Sequence, residues 1–253
     1  MPDQTSPART RPRPAPRAAA RDDRGLFTFA DGRPTPALVA HLTDGWNKQL
    51  ELRNRIAETS LQELLGLLDP DMLVGLPELM LLVAGVKPAA KFDHTGPTGS
   101  QMLASYQLLH EAGFEVRTEP AYKNGSMVIV GRNVAFADVL GSALAGWPRL
   151  VGNQASEAYA RATARWQAKT AAVGLVLGYP PLCVAAYAAG DGWFFEDQDH
   201  PLPWAAEIVA WWRILGHFRL GSSPEALEEA RVWVVRAAGR FIDTFPAARR
   251  PAD

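Results

Sequence analysis

A chain of 253 residues with 47% hydrophobic side chains can bury a sizeable core, as one large domain or two small ones. A formal net charge of −1 argues against a dedicated nucleic-acid binder, so nucleic acid is not an expected partner. A lone cysteine excludes an intramolecular disulfide and any all-cysteine metal site and fits a cytoplasmic protein, and no apolar run reaches the roughly 18–20 residues that would span a bilayer, so no membrane partner is expected.

Residues 1–24 are rich in Pro, Ala and Arg and lack apolar periodicity. They predict a disordered basic tail without the apolar segment of a secretory signal. Residues 25–253 are expected to form a single globular domain, divisible into an α+β part over 25–152 and a helical part over 153–253. Leu26-Phe-Thr-Phe29 reads as a short strand or a packing arm. Thr35 before Pro36 is an N-cap followed by Pro at the first helical position. Helices are predicted over 36–42 and 44–66, with Trp46, Leu50 and Leu61 on the buried side. Asp69-Pro70 predicts a capped turn, and Leu76-Pro77 the start of an apolar helix ending at Gly85.

The segment from Lys87 to Gln101 gathers small residues, cations and a histidine in front of a helix start. Leu103, Tyr106, Leu108 and Leu109, with polar Gln107 and Glu111 between them, predict a helix closed by Gly113. Its N-terminus falls within Thr95–Ser100, where free amide groups and a partial positive charge suit phosphate, sulfate or carboxylate. Gly96 and Gly99 permit close backbone approach, and Thr98 and Ser100 can cap the helix or donate to an oxyanion. Lys87, Lys91 and His94 stand just upstream and add charge. The spacing is not that of a P-loop. The plainer alternative is an ordinary capped helix after a flexible loop.

Phe114, Val116 and Thr118 alternate with Glu115, Arg117 and Glu119, which predicts a strand with one apolar and one charged face. Met127–Val130 predicts a second strand, and Asn124-Gly125 a hairpin turn between them. The fold class is therefore α+β and mainly helical, with a small antiparallel sheet at about 114–130 packed by helices. With the hairpin beside the preceding helix, Arg117, Glu119 and Lys123 would face the 87–100 segment, and Arg132 would sit at the far end of the second strand. Arg can clamp an acidic group, and Glu119 can hold or deprotonate an amine. The alternative is a solvated charged face. A return helix is expected over 133–144, and Arg149–Val151 suggests one more short strand.

The remainder reads as helical. Glu157, Arg161 and Arg165 form a charged stripe at i, i+4 spacing, a helix is expected near 203–216, and Ser223-Pro224 starts the last one. Four of the eight tryptophans lie after 203, which suits an aromatic core or a surface for a partner subunit. Asp197, Asp199 and His200 match no recognised metal spacing, so no metal site is expected.

Leu177-Gly-Tyr-Pro-Pro-Leu-Cys-Val184 resembles a motif, Gly-Tyr-Pro-x-Cys-Cys-Val, of an uncharacterised family of bacterial and archaeal proteins. Cys183 matches the second cysteine and Leu182 replaces the first. His217-Phe-Arg-Leu-Gly-Ser-Ser-Pro224 occupies the place of a later His and cysteine pair and lacks the cysteines. The resemblance implies no activity. With one cysteine, no thiolate cluster is possible, and Cys183 is expected to be a buried apolar residue at a helix start.

These features point to a cofactor-independent enzyme acting on a small anionic, amino-acid-derived substrate. Lys87, Lys91, Thr98, Gly99, Ser100, Arg117 and Arg132 would bind it, and Glu119 or His94 would move a proton. One version displaces sulfate or phosphate by an amine of the same molecule, similar to the ring-forming, aziridine-type steps run by paired unlike subunits in specialised metabolism. The alternative is a non-catalytic subunit of a hetero-oligomer.

Overall fold

The computed structural model describes residues 20–21, 27–28, 31–55, 70–94, 99–120, 126–145, 156–190, 202–215 and 220–250. The chain divides into two units, Met1–Ala30 and Asp31–Asp253. In the first, β1 (Ala20–Arg21) and β2 (Phe27–Thr28) pair antiparallel, so a short strand lies inside the segment expected to be without structure.

The second unit is α+β and mainly helical, as its sequence implies. Helix α1 (Pro36–Arg55) opens at Thr35, whose Oγ1 accepts from the Leu38 amide at 3.3 Å. It runs without the break expected near residue 43. Helix α2 (Pro70–Val83) likewise continues through Pro77 and does not begin there. An interior proline costs about 3 kcal/mol. Leu76, Leu79, Leu81 and Leu82 beside it are almost wholly buried, at roughly 1.5–3 kcal/mol each, and outweigh that cost.

Three antiparallel strands follow: β3 (Ala89–His94), β4 (Glu115–Pro120) and β5 (Ser126–Gly131), in the order β3-β5-β4. The hairpin β4–β5 is as expected, although its turn lies outside the described residues. Strand β3 lies in a segment whose sequence suggests a loop. Its alternation is present, with Ala90, Phe92 and His94 buried, but Ala, Lys and Asp are poor strand signals and mask it.

The two faces of the sheet are distinct. Ala90, Phe92, Val116, Val128 and Val130 point into the main core, against α3 (Ser100–Glu111). Ala89 and Ile129 point the other way, against Ala137 and Leu140 of α4 (Val134–Leu144). Helices α5 (Glu157–Val176), α6 (Pro181–Ala189), α7 (Ala206–Leu215) and α8 (Pro224–Thr244) complete the unit. One core crosses residue 153: Trp46 of α1 packs on Phe241 of α8 at 4.8 Å between ring centroids, and its Nε1 donates to the Arg249 carbonyl at 2.8 Å. Among the described residues no helix is long and apolar enough to cross a membrane.

Candidate functional site

The polar groups gathered around α3 follow from two periodicities. Alternation along β3 turns His94 inward, and helical spacing puts Met102, Ser105, Tyr106 and Leu109 on the buried side of α3. The two meet: a hydrogen bond of 2.9 Å joins His94 Nε2 and Tyr106 Oη, and the rings stand edge to face. One position earlier, Ser105 Oγ donates to the Gln101 carbonyl at 3.0 Å and lies 3.0 Å from His41 Nε2 of α1. Two adjacent hydroxyls of one helix are thus each paired with an imidazole.

The start of α3, like that of α6 at Pro180, has no side-chain cap. Asn133, Ser156 and Ser223 each cap their helix by accepting an amide hydrogen at 3.1–3.2 Å. The N-cap of α3 is Gly99, with extended backbone and no side-chain cap. The first intrahelical bond is Leu103 N–H to the Gly99 carbonyl. The amides of Ser100, Gln101 and Met102 therefore precede any helical partner. Ser100 is the first helical residue and is exposed, while Thr98 lies outside the described residues.

The charged residues lie elsewhere. Lys91, Ile129 and Arg117 form one row across the three strands, and Asp93, Met127 and Glu119 the next. Ile129 belongs to the α4 side, so Lys91, Arg117 and Glu119 face α4 and not α3. Arg117 Nε donates to Glu115 Oε1 at 2.7 Å, and its Nη1 donates to Asp138 of α4. Burial opposes the Arg117 charge, but the bonds to Glu115 and Asp138 outweigh it and raise its pKa. Lys91 donates to Asp93. Two cations stand among four carboxylates, Asp93, Glu115, Glu119 and Asp138. That balance repels an anion and suits a positive group. Glu119 and His94 lie on opposite faces of the sheet.

Lys87 is fully buried. Its ammonium donates to Glu78 Oε2 of α2 and sits 3.9 Å above the Tyr179 ring, while Tyr179 Oη donates to Glu78 Oε1 at 3.2 Å. Burial depresses the Lys87 pKa against the opposing pull of Glu78, and burial followed by Glu78 pushes the Tyr179 hydroxyl well above its usual range. The Gly178-Tyr-Pro turn is held there by Trp233, whose Nε1 donates to the Gly178 carbonyl at 2.9 Å. Arg132 lies at the other end of β5. Its guanidinium is 3.9 Å from Asp31, and its Nε is buried without a hydrogen-bond partner among the described residues.

The segments named from sequence thus separate into four places. His94, Gly99 and Ser100 belong to the α3 side. Lys91, Arg117 and Glu119 belong to the α4 side. Lys87 lies in the core, and Arg132 beside Asp31. Sequence reasoning missed His41, Ser105, Tyr106, Glu78 and Tyr179. Glu78 was detectable, because a lone carboxylate in Leu76-Pro-Glu-Leu-Met-Leu-Leu82 needs a buried partner. The pairing of His94 with Tyr106 had no local signal, since it depends on β3 being a strand. His217, Asp197, Asp199, His200 and Lys123 lie outside the described residues. No family model, curated protein or solved structure matches this chain.

Proposed function

We propose that the chain is a cofactor-independent enzyme of specialised metabolism, of lyase or cyclase type, acting on a small anionic, amino-acid-derived substrate and working with a partner subunit. The amide end of α3 holds the anionic group and His94 moves the proton. The supporting observation is that His94, fixed by Tyr106, shares its sheet face with a helix whose first turn carries no side-chain cap. Lys87 keeps a structural role in this scheme, because its charge is already matched by Glu78.

In the concrete version, an amine of the substrate attacks the carbon bearing sulfate or phosphate. The C–N bond forms, the C–O bond breaks, and its electron pair departs with the oxyanion. The surplus proton on nitrogen passes to His94. The α3 amides offset the charge growing on the leaving oxygen. A positioned base of this kind contributes roughly 10²–10⁴-fold. The test is incubation with amino acids carrying a sulfate or phosphate ester next to the amine, alone and with co-expressed neighbouring gene products. Release of the inorganic anion with a cyclic product is expected, with His94→Ala slower by about a hundredfold and Glu119→Gln unchanged. No release under either condition contradicts the proposal.

The alternative, a non-catalytic subunit, rests on the tryptophan-rich C-terminal half. Trp211, Trp212 and Trp233 are buried there. Exposed Leu175 and Tyr187 in that half, with Phe136 and Val139 on α4, speak for it, and co-purification with neighbouring gene products without any anion release would select it.

A further inference from the structure

Helix α8 has a filled inner side, with Ala230, Trp233, Val234, Ala237 and Phe241 buried. Its outer side carries Val232 and Val235, 53% and 48% exposed. Exposed apolar residues scattered singly need no explanation. These two are in register with Glu228 before them and Gly239 after them, at steps of four, three and four residues. That is the spacing of a two-helix seam, with its two central positions apolar. A Cβ added at Gly239 would meet nothing within 4 Å, so a second helix can approach closely there. Leu182 of α6 flanks the strip: it is exposed, and its amide donates to Glu229 of α8 at 2.7 Å.

The charges on α8 select the direction and the occupant. Its first half carries Glu225, Glu228 and Glu229 against Arg231, and its second half carries Arg236 and Arg240 against Asp243. A parallel copy would set acid against acid and base against base. An antiparallel copy sets each acidic half beside a basic one, with Val232 of one chain opposite Val235 of the other. A surface that complements itself under a twofold rotation is what a homodimer requires. We infer that α8 pairs antiparallel with α8 of a second copy of this chain, with Val232 and Val235 at the centre of the contact.

Sedimentation velocity of the full chain over a concentration series tests this. A monomer–dimer equilibrium is expected. The double substitution Val232→Asp and Val235→Asp is expected to leave monomer only, with the circular dichroism spectrum unchanged. Because that pair could disturb folding, Arg240→Glu serves as a second probe. Alone it should weaken the dimer by about tenfold, and adding Glu228→Lys should restore the affinity. A wild-type chain that stays monomeric throughout, or a dimer indifferent to all of these substitutions, overturns the inference.

Discussion

Lys87, Glu78 and Tyr179 are the residues whose chemistry most constrains the core. A buried charge pair adds little net stability by itself, but removing one partner strands the other. Lys87→Ala should therefore destabilise the chain by about 3 kcal/mol in urea unfolding. Tyr179→Phe, which leaves the Lys87–Glu78 pair intact, should cost about 1 kcal/mol. Lys87→Met combined with Glu78→Leu should cost less than Lys87→Met alone. If the double variant is the worse of the two, the pair is net stabilising and stranding is not what the single variant measures. Cys183 makes a second case. It is buried, its thiol donates to the Ala226 carbonyl at 3.6 Å, and burial pushes its pKa up to about 11, partly offset by a backbone hydrogen bond at Gly221 and slightly reinforced by Glu229. Near neutral pH such a thiol holds about a hundredfold less thiolate than an ordinary one, so alkylation in the folded chain should be slower than in the unfolded one by at least that factor. The same rise has a stability consequence. Between pH 9 and 11 the unfolded thiol releases its proton while the folded one keeps it, so stability falls as pH rises. Tyr179, also raised by burial, acts in the same direction above pH 10. Lys87, depressed by burial, acts in the opposite direction. The drop in thermal midpoint from pH 9 to 11 should be smaller in Cys183→Ala than in the native chain.

The elements show where sequence was sufficient and where it was not. Helix starts with a local cap were legible: Thr35, Asn133 and Ser223 all accept amide hydrogens as their residue types imply. The hairpin β4–β5 was legible because alternation and Asn124-Gly125 agreed. Strand β3 was not, since its inward residues are Ala90, Phe92 and His94 and its identity comes from pairing with β5. Missing it cost most of the site, because β3 decides that His94 faces α3 while Lys91 faces α4. The helix start expected at Leu76-Pro77 did not hold, because burial of the flanking leucines exceeds the local preference of proline. The turn at Gly178 is sensitive to substitution on two counts. Its φ is +80°, and an added Cβ would stand 2.8 Å from Pro88 Cδ and 3.4 Å from the Lys87 backbone. Gly190 has a φ of +88° but open space around it. Gly190→Ala should cost about 1 kcal/mol from backbone conformation alone. Gly178→Ala should cost clearly more, and equal losses in parallel urea titrations would show that the turn does not clamp the Lys87 segment.

At the level of the whole molecule, the sheet acts as a partition. One side presents two cations among four carboxylates beneath α4, and the other presents the histidine–hydroxyl pairs and the uncapped end of α3. From sequence these groups looked like one site because they lie close in the chain. Alternation along three strands separates them, and the α3 side holds a helix start with no side-chain cap, whereas Asn133 caps α4 on the other side. The most direct test of anion binding at α3 is a titration of the uniformly labelled full chain with sulfate, followed by backbone amide resonances. Saturable shifts at Ser100, Gln101 and Met102, accompanied by the His94 ring signals, are predicted. Amides of Ser100–Met102 that stay fixed while sulfate moves signals on the α4 side, or moves none, would contradict it.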